Sequence, residues 1–192
     1  MSADDVEDIA GVMARAFWDD PLQVWAFPDA TTRLAKLDAM FAMQIRAMAV
    51  PSGESYTDES RSTGAFWMPP GREQPEPNAL EAMEVLRAIV GDALERIRVA
   101  FAAMQDAHPP DPHFYLAGLG TTPERQGQGL GSAVIEPVLD RCDTERIPAY
   151  LESTKEQNIA FYEHHGFAVT GTIAPAPDGP TMWTMWRAPR GT

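Results

Sequence analysis

Gln126-Gly127-Gln128-Gly129-Leu130-Gly131 stands between two patterns of opposite kind. Before it, His113-Phe114-Tyr115-Leu116-Ala117-Gly118-Leu119 reads as a strand. After it, Leu130, Val134, Ile135, Val138, Leu139 and Cys142 recur on one helical face. A strand that runs into a glycine-rich loop and opens a helix presents unpaired N–H groups and the positive end of a helix dipole, which together make an anion site. A side chain at Gly127, Gly129 or Gly131 would keep a phosphate away from the backbone. Two familiar nucleotide patterns fail here. No Lys-Ser/Thr follows the loop, and the dinucleotide pattern, laid on Gly127-Gln128-Gly129-Leu130-Gly131-Ser132, lacks its last glycine. Taken alone, such a loop also fits a plain tight turn.

Downstream, Ala149 to Ser153 reads as a short buried strand and Asn158 to His165 as a short helix stopped by Gly166. Phe167 to Ile173 and Thr181 to Trp186 read as two further strands. Pro137 falls inside the helix after the loop and should bend it. Upstream, Val6, Ile9, Met13, Ala14 and Phe17 mark a first helix that starts within five residues of Met1. An aromatic loop holding Trp25 and Phe27 joins it to a second helix marked by Leu34, Leu37, Met40, Phe41 and Ile45. Residues 55 to 69 form a hairpin, and Pro69 to Pro77 a connecting loop. Two stripes then follow, Leu80, Met83, Leu86, Ile89 and Leu94, Ile97, Phe101, Met104, broken near Gly91.

A chain of 192 residues, 44% of them hydrophobic, suits one buried core better than two, so residues 1–192 are expected to form a single domain. A net charge of −13 argues against binding nucleic acid, which requires a basic surface. The single cysteine, Cys142, allows no internal disulfide and suits a reducing cytoplasm. No signal-peptide pattern and no run of about 18 apolar residues appear, so no membrane partner is expected. No metal-ligand spacing of the CxxC or HExxH type is visible, so metal-free chemistry is expected.

The loop resembles the Q/R-x-x-G-x-G/A signature of the Gcn5-related N-acetyltransferase (GNAT) superfamily, matched by Gln126, Gly129 and Gly131. A second signature of that superfamily is matched by Asn158, Phe161, Tyr162, Gly166 and Phe167. The likeness runs from about His113 to Trp186. Within the superfamily the chain looks most like the puromycin N-acetyltransferase group, through the Gln126 to Val134 run, Tyr150-Leu151-Glu152-Ser153 and Pro180-Thr181-Met182-Trp183. The resemblance implies acetyl-CoA as cofactor. Leu119, Gly120 and Thr121 would bond its pantetheine arm, and the amides of Gln126, Gly127, Gln128, Gly129, Leu130, Gly131 and Ser132 its pyrophosphate. Asn158 and Phe161 would contact the cofactor as well. Tyr162 would be the general acid that protonates the leaving thiolate, a role a phenol near a departing sulfur can fill on chemical grounds too. The alternative for Tyr162 is a packing residue.

The implied fold is α/β: a mixed, mostly antiparallel sheet flanked by helices, splayed between the strands ending near Thr121 and Ser153, with the superfamily's usual first strand missing. Residues 1–110 would form the acceptor side and 111–192 the acetyl-CoA core. An ammonium must lose a proton before it attacks, and Glu152, at a strand end, is the first candidate base; a surface role is its alternative. Trp25, Phe27 and Trp67 are candidates to line the acceptor pocket. Asp19 and Asp20 read as a helix cap or loop residues, and His164 and His165 as partners of free helix-end carbonyls. The expected reaction is acetyl transfer to a small-molecule amine by direct attack in a ternary complex, in a monomer or homodimer. Acetylation of a protein amine, and non-catalytic acyl-CoA sensing, are the other readings.

Overall fold

The computed structural model describes residues 1–71 and 79–191. The loop expected from Pro69 to Pro77 falls mostly outside them, as does the side chain of Leu80. Helix α1 (Val6–Ala16) follows a single 3-10 turn, and among the described residues no strand precedes it. Its apolar stripe, including Val6, Ile9 and Met13, is buried. The expected aromatic loop is instead a short helix, α2 (Pro21–Ala26). Asp20 Oδ1 caps it by accepting from the amides of Leu22 and Gln23 at 3.0 and 3.3 Å, and Pro21 occupies its first turn. Six residues are too few for a helical period to show in sequence.

Helix α3 (Ala30–Gln44) continues as a π-helical turn, Ile45–Ala49, and a last turn, α4 (Val50–Ser52). Leu37, Met40, Phe41 and Ile45 are buried as their spacing predicts, but Leu34 is 45% exposed and Arg33 takes an inward position. The Arg33 guanidinium donates to the carbonyls of Phe27 (2.6 Å), Pro28 (3.1 Å) and Trp18 (3.2 Å), tying the segment around α2 to α3. Strands β1 (Tyr56–Thr57) and β2 (Thr63–Met68) form the expected hairpin. Helices α5 (Ala79–Val90) and α6 (Leu94–Ala107) follow, parted by a 3-10 turn at Gly91. Then come β3 (Phe114–Thr121), α7 (Leu130–Glu145), β4 (Ala149–Ser153), α8 (Ile159–His164), β5 (Ala168–Ile173) and β6 (Met182–Arg187).

The six strands lie in the order β1-β2-β3-β4-β6-β5. Every pairing is antiparallel except β3 with β4, which pair in parallel at Phe114 with Ala149 and Tyr115 with Tyr150 and nowhere further. Just past that point Ala117 is an extra residue on β3, because its β2 partners step from Trp67–Leu116 to Phe66–Gly118. Such a bulge bends its strand, and β3 leaves β4 here, opening a wedge in the sheet.

Apolar groups cover both faces. On one, α1, α3 and the π turn pack with Phe66; on the other, α7 packs with Trp67, Phe114 and Leu151. Close approach of α1 to β3 explains Gly120: a Cβ there would lie 2.8 Å from Met13 Sδ and 3.1 Å from the Ala16 Cβ. Pro137 sits within α7 without ending it. Cys142 is fully buried on α7, and desolvation pushes its thiol up to about 12. Among the described residues no helix is long and apolar enough to cross a membrane.

Arg187, on β6, is 2% exposed and donates from both terminal nitrogens to Asp143 on α7, at 2.8 and 2.7 Å. The guanidinium holds the Asp143 carboxyl below its usual range, with help from its bonds to the backbone. The pair therefore stabilises the fold at neutral pH, and that contribution is lost as pH falls through the depressed pKa. Asp143→Ala leaves a buried cation unpaired and should cost about 3 kcal/mol of stability. Urea unfolding measures this directly, and an unchanged midpoint would show that water satisfies Arg187 unaided.

Candidate active site

Two spaces meet where β3 and β4 part. The first is a cleft of about 370 Å³ between the end of β3, the glycine loop and α8. Leu119, Gly120 and Thr121 form one wall; Gln126, Gly127, Gly129, Leu130, Gly131 and Ser132 form the floor; Asn158, Phe161 and Tyr162 face them. Gly127 and Gly129 have φ of 72° and 80°, the left-handed region, and Gly129 caps α7. A Cβ at either would meet no protein atom within 4 Å, so it would project into open space at the cleft wall. Backbone conformation thus demands glycine at both positions, and the amides that open α7 are left facing a space sized for an anion. Gln126 Nε2 braces the loop by donating to Thr121 O at 3.1 Å. Gln128 is the one residue of the loop off the cleft wall: its amide oxygen accepts from Arg125 Nε at 2.9 Å. Arg125 and Lys155 add positive charge at the cleft, with Lys155 also paired to Asp19.

The second space is a cavity of about 200 Å³ lined by β2, β3, β4, α2, α3, the π turn and α6. Phe17, Asp20, Leu119, Asn158 and Tyr162 border both spaces and so mark their junction. Tyr162 is buried, and its phenol is pushed up first by desolvation and then by the nearby Asp20 charge, so it stays protonated at neutral pH. Asp20 is 2% exposed. Desolvation raises its pKa against the opposing bonds from Thr154 Oγ1 and the α2 amides. Glu152 points into the same cavity, and burial lifts its carboxyl to about 7. The hydroxyls of Tyr115 and Tyr150 lie near enough to moderate that rise, yet Glu152 Oε1 and Tyr150 Oη are each buried without a hydrogen-bond partner among the described residues. The junction therefore holds a phenolic donor and one carboxyl, and the cavity beside it a second, both carboxyls resisting ionisation.

The three aromatic candidates for the acceptor wall are elsewhere. Trp25 donates weakly to Asp178 at 3.4 Å, and Phe27 is buried against α3 with Lys36 over its ring. Trp67 is fully buried on the α7 face. Adjacent residues of a strand point to opposite faces, so its neighbours Phe66 and Met68 reach the cavity while Trp67 does not. His165 Nε2 bonds Ser132 Oγ at 2.9 Å, and neither it nor His164 borders the cavity. Asp20 is the residue sequence reasoning undervalued: the cap was legible from Asp20-Pro21, but its bond to Thr154, 134 positions away, was not.

The family comparison identifies the kind of protein that this cleft and cavity belong to. The model for the acetyltransferase (GNAT) family matches residues 56–167. The chain belongs to the GNAT family of N-acetyltransferases. This GNAT enzyme is similar to an uncharacterized N-acetyltransferase of Schizosaccharomyces pombe, 25% identical over 191 residues that cover 90% of this chain and 74% of the relative. Among solved structures, one from Corynebacterium glutamicum, described as histone acetyltransferase HPA2 and related acetyltransferase, is 26% identical with a TM-score of 0.71, covering 100% of this chain and 95% of that one. A Drosophila melanogaster polyamine N-acetyltransferase that forms N-acetylagmatine shares the fold at a TM-score of 0.63 and 18% identity, covering 98% and 97% of the two chains. GNAT enzymes use acetyl-CoA, and the residues at the cleft suit it. The glycine loop with its outward amides fits a pyrophosphate, and the edge of β3 from Leu119 to Thr121, which lines the cleft and is not paired to β4, fits a strand-like pantetheine arm.

The folded Glu152 carboxyl resists ionisation, so it favours the folded state at low pH, and that contribution is lost as pH rises through about 7. Carbon-13 NMR of glutamate-labelled protein should therefore find one carboxyl titrating near pH 7, absent in Glu152→Gln. A midpoint close to the ordinary 4.5 would mean that water solvates the site freely.

Proposed function

We propose that this GNAT enzyme moves an acetyl group from acetyl-CoA to the primary amine of a small molecule, by direct attack in a ternary complex. The observation that carries the reading is the junction itself. An anion-binding cleft and a walled cavity meet at Asp20, Asn158 and Tyr162, so a thioester entering from one side would face an amine entering from the other. Residues 1–110 supply most of the acceptor side and residues 111–192 the cofactor side of what we read as one domain.

Acetyl-CoA, when bound, supplies the thioester carbonyl. The protein's part is to move two protons and hold two partners in line. Asp20 and Glu152 attract the ammonium, and one of them, as its carboxylate, accepts the proton that frees the nitrogen lone pair. As the C–N bond formed and the C–S bond broke, Tyr162 Oη would donate its proton to the sulfur, and the second proton shed by the nitrogen would return to the phenol, directly or through water. Burial keeps that phenol neutral beforehand. The amides at the start of α7 and the edge of β3 would fix the cofactor and cost no reorganisation during reaction.

Acetylation of a protein amine is less well supported, because the described residues of α3, the π turn and α6 wall the cavity with apolar side chains and give it the lining of a small-molecule pocket. A buried carboxyl near Tyr162, Asp20, and a second lining the cavity, Glu152, also favour chemistry over simple acyl-CoA sensing. Placement beside the puromycin N-acetyltransferases rests on sequence runs alone, chiefly Gln126 to Val134 and Tyr150 to Ser153.

Acetyl-CoA at roughly 100 times its dissociation constant should stabilise the fold by about 2.7 kcal/mol and raise the melting temperature. Gly129→Glu places an anion at the cleft wall and should abolish that rise; an unchanged rise would remove the pyrophosphate from this loop. Tyr162→Phe should keep the rise but lower kcat by about 100-fold or more, the usual contribution of a positioned proton donor. Full turnover in that variant would take the acid role away from Tyr162.

A further inference from the structure

The acceptor cavity is chemically one-sided. Its only carboxyls among the described lining residues, Asp20 and Glu152, stand on the α2 and β4 side, next to the junction. The opposite wall belongs to α3, the π turn and α6, and consists of Met40, Phe41, Met48, Ile97, Phe101 and Met104. Among the described residues no ionisable group interrupts it, and Gln44 contributes only a neutral amide. Thioether and phenyl groups receive apolar surface well, and methionines adapt to varied shapes. They do not repay the desolvation of a second cation, which is costly where no counter-charge or hydrogen bond replaces water.

Resting on the acetyltransferase reading above, we propose that the acceptor is an amphipathic monoamine: one primary ammonium at the carboxyl end and an uncharged aromatic or aliphatic body against the methionine-lined wall. Polyamines and guanidino-amines are excluded by the same wall. The surface does not make this choice, since a net charge of −13 draws in any cation; the wall does. The inference separates this chain from the Drosophila melanogaster enzyme of the same fold, whose acetylated agmatine carries a second cationic group.

The test compares matched pairs in which a terminal methyl becomes an ammonium, such as heptylamine against 1,6-diaminohexane, with phenethylamine and agmatine alongside. Turnover is followed by thiol release, and amine binding to the CoA complex by calorimetry. The monoamine of each pair should be preferred in kcat/KM by roughly 100-fold, because an unpaired buried charge is rejected far more strongly than a missing methylene. Met104→Glu supplies the missing counter-charge and should narrow or reverse the preference. Phe101→Glu should act likewise, and Phe101 is already 51% exposed at the rim, so the fold is spared. Diamines used as well as their monoamine partners would overturn the proposal, as would a failure of every apolar monoamine both to react and to bind. Failure of acetyl-CoA to stabilise the protein would instead overturn the reading beneath it.

Discussion

The parallel pairing of β3 and β4 holds for two residue pairs and then ends. Everything functional follows from that short register. Had the strands stayed zipped to Thr121 and Ser153, their edges would have satisfied each other, and no backbone donors or acceptors would remain for a strand-like ligand. The Ala117 bulge on one strand and the α1 contact at Gly120 hold β3 on its divergent course. The wedge is thus a packed, sterically enforced gap in a sheet that is otherwise continuous from β1 to β5.

Within the wedge, burial governs the chemistry. Desolvation is the largest influence on Tyr162, Asp20 and Glu152 alike, and it pushes each toward its uncharged form. A cationic guest changes that balance, because an ammionium beside either carboxyl stabilises its ionised state. Positioning is achieved at a distance: Arg33 gathers three backbone carbonyls from the segment around α2 and so sets where Asp20 stands. A bidentate pair, Arg187 with Asp143, ties the far end of the sheet to α7 in the same manner.

Much of the second half of the chain was legible in its sequence. The α7 stripe from Val134 to Cys142 is buried as its spacing requires, and Gly166, with φ of 92°, ends the α8 region where a glycine was expected to. The helical spacing from Val6 onward was legible too, and α1 forms where it predicts. Legibility failed where local pattern carries no phase. Every residue of β2 from Thr63 to Met68 is buried, so nothing in that run says whether Phe66 or Trp67 faces the cavity. Helix α2 was too short for periodicity, and Arg33 in an inward position reversed the apparent value of its neighbour Leu34. At the site, Tyr162 and Glu152 could be named from motif and strand end, whereas the company of Asp20, Thr154 and Tyr115 arises only from tertiary folding.

Cys142 has a chemical consequence of its own. It is the chain's one sulfhydryl, sealed inside α7's buried face, and a thiol pushed up to about 12 carries almost no thiolate at neutral pH. Cys142 is thus poorly placed to capture an acyl group from a thioester, which favours the proposed direct attack over a relay through an acyl-cysteine. Nor can the protein be disarmed by alkylating agents or mild oxidants that search for exposed thiols.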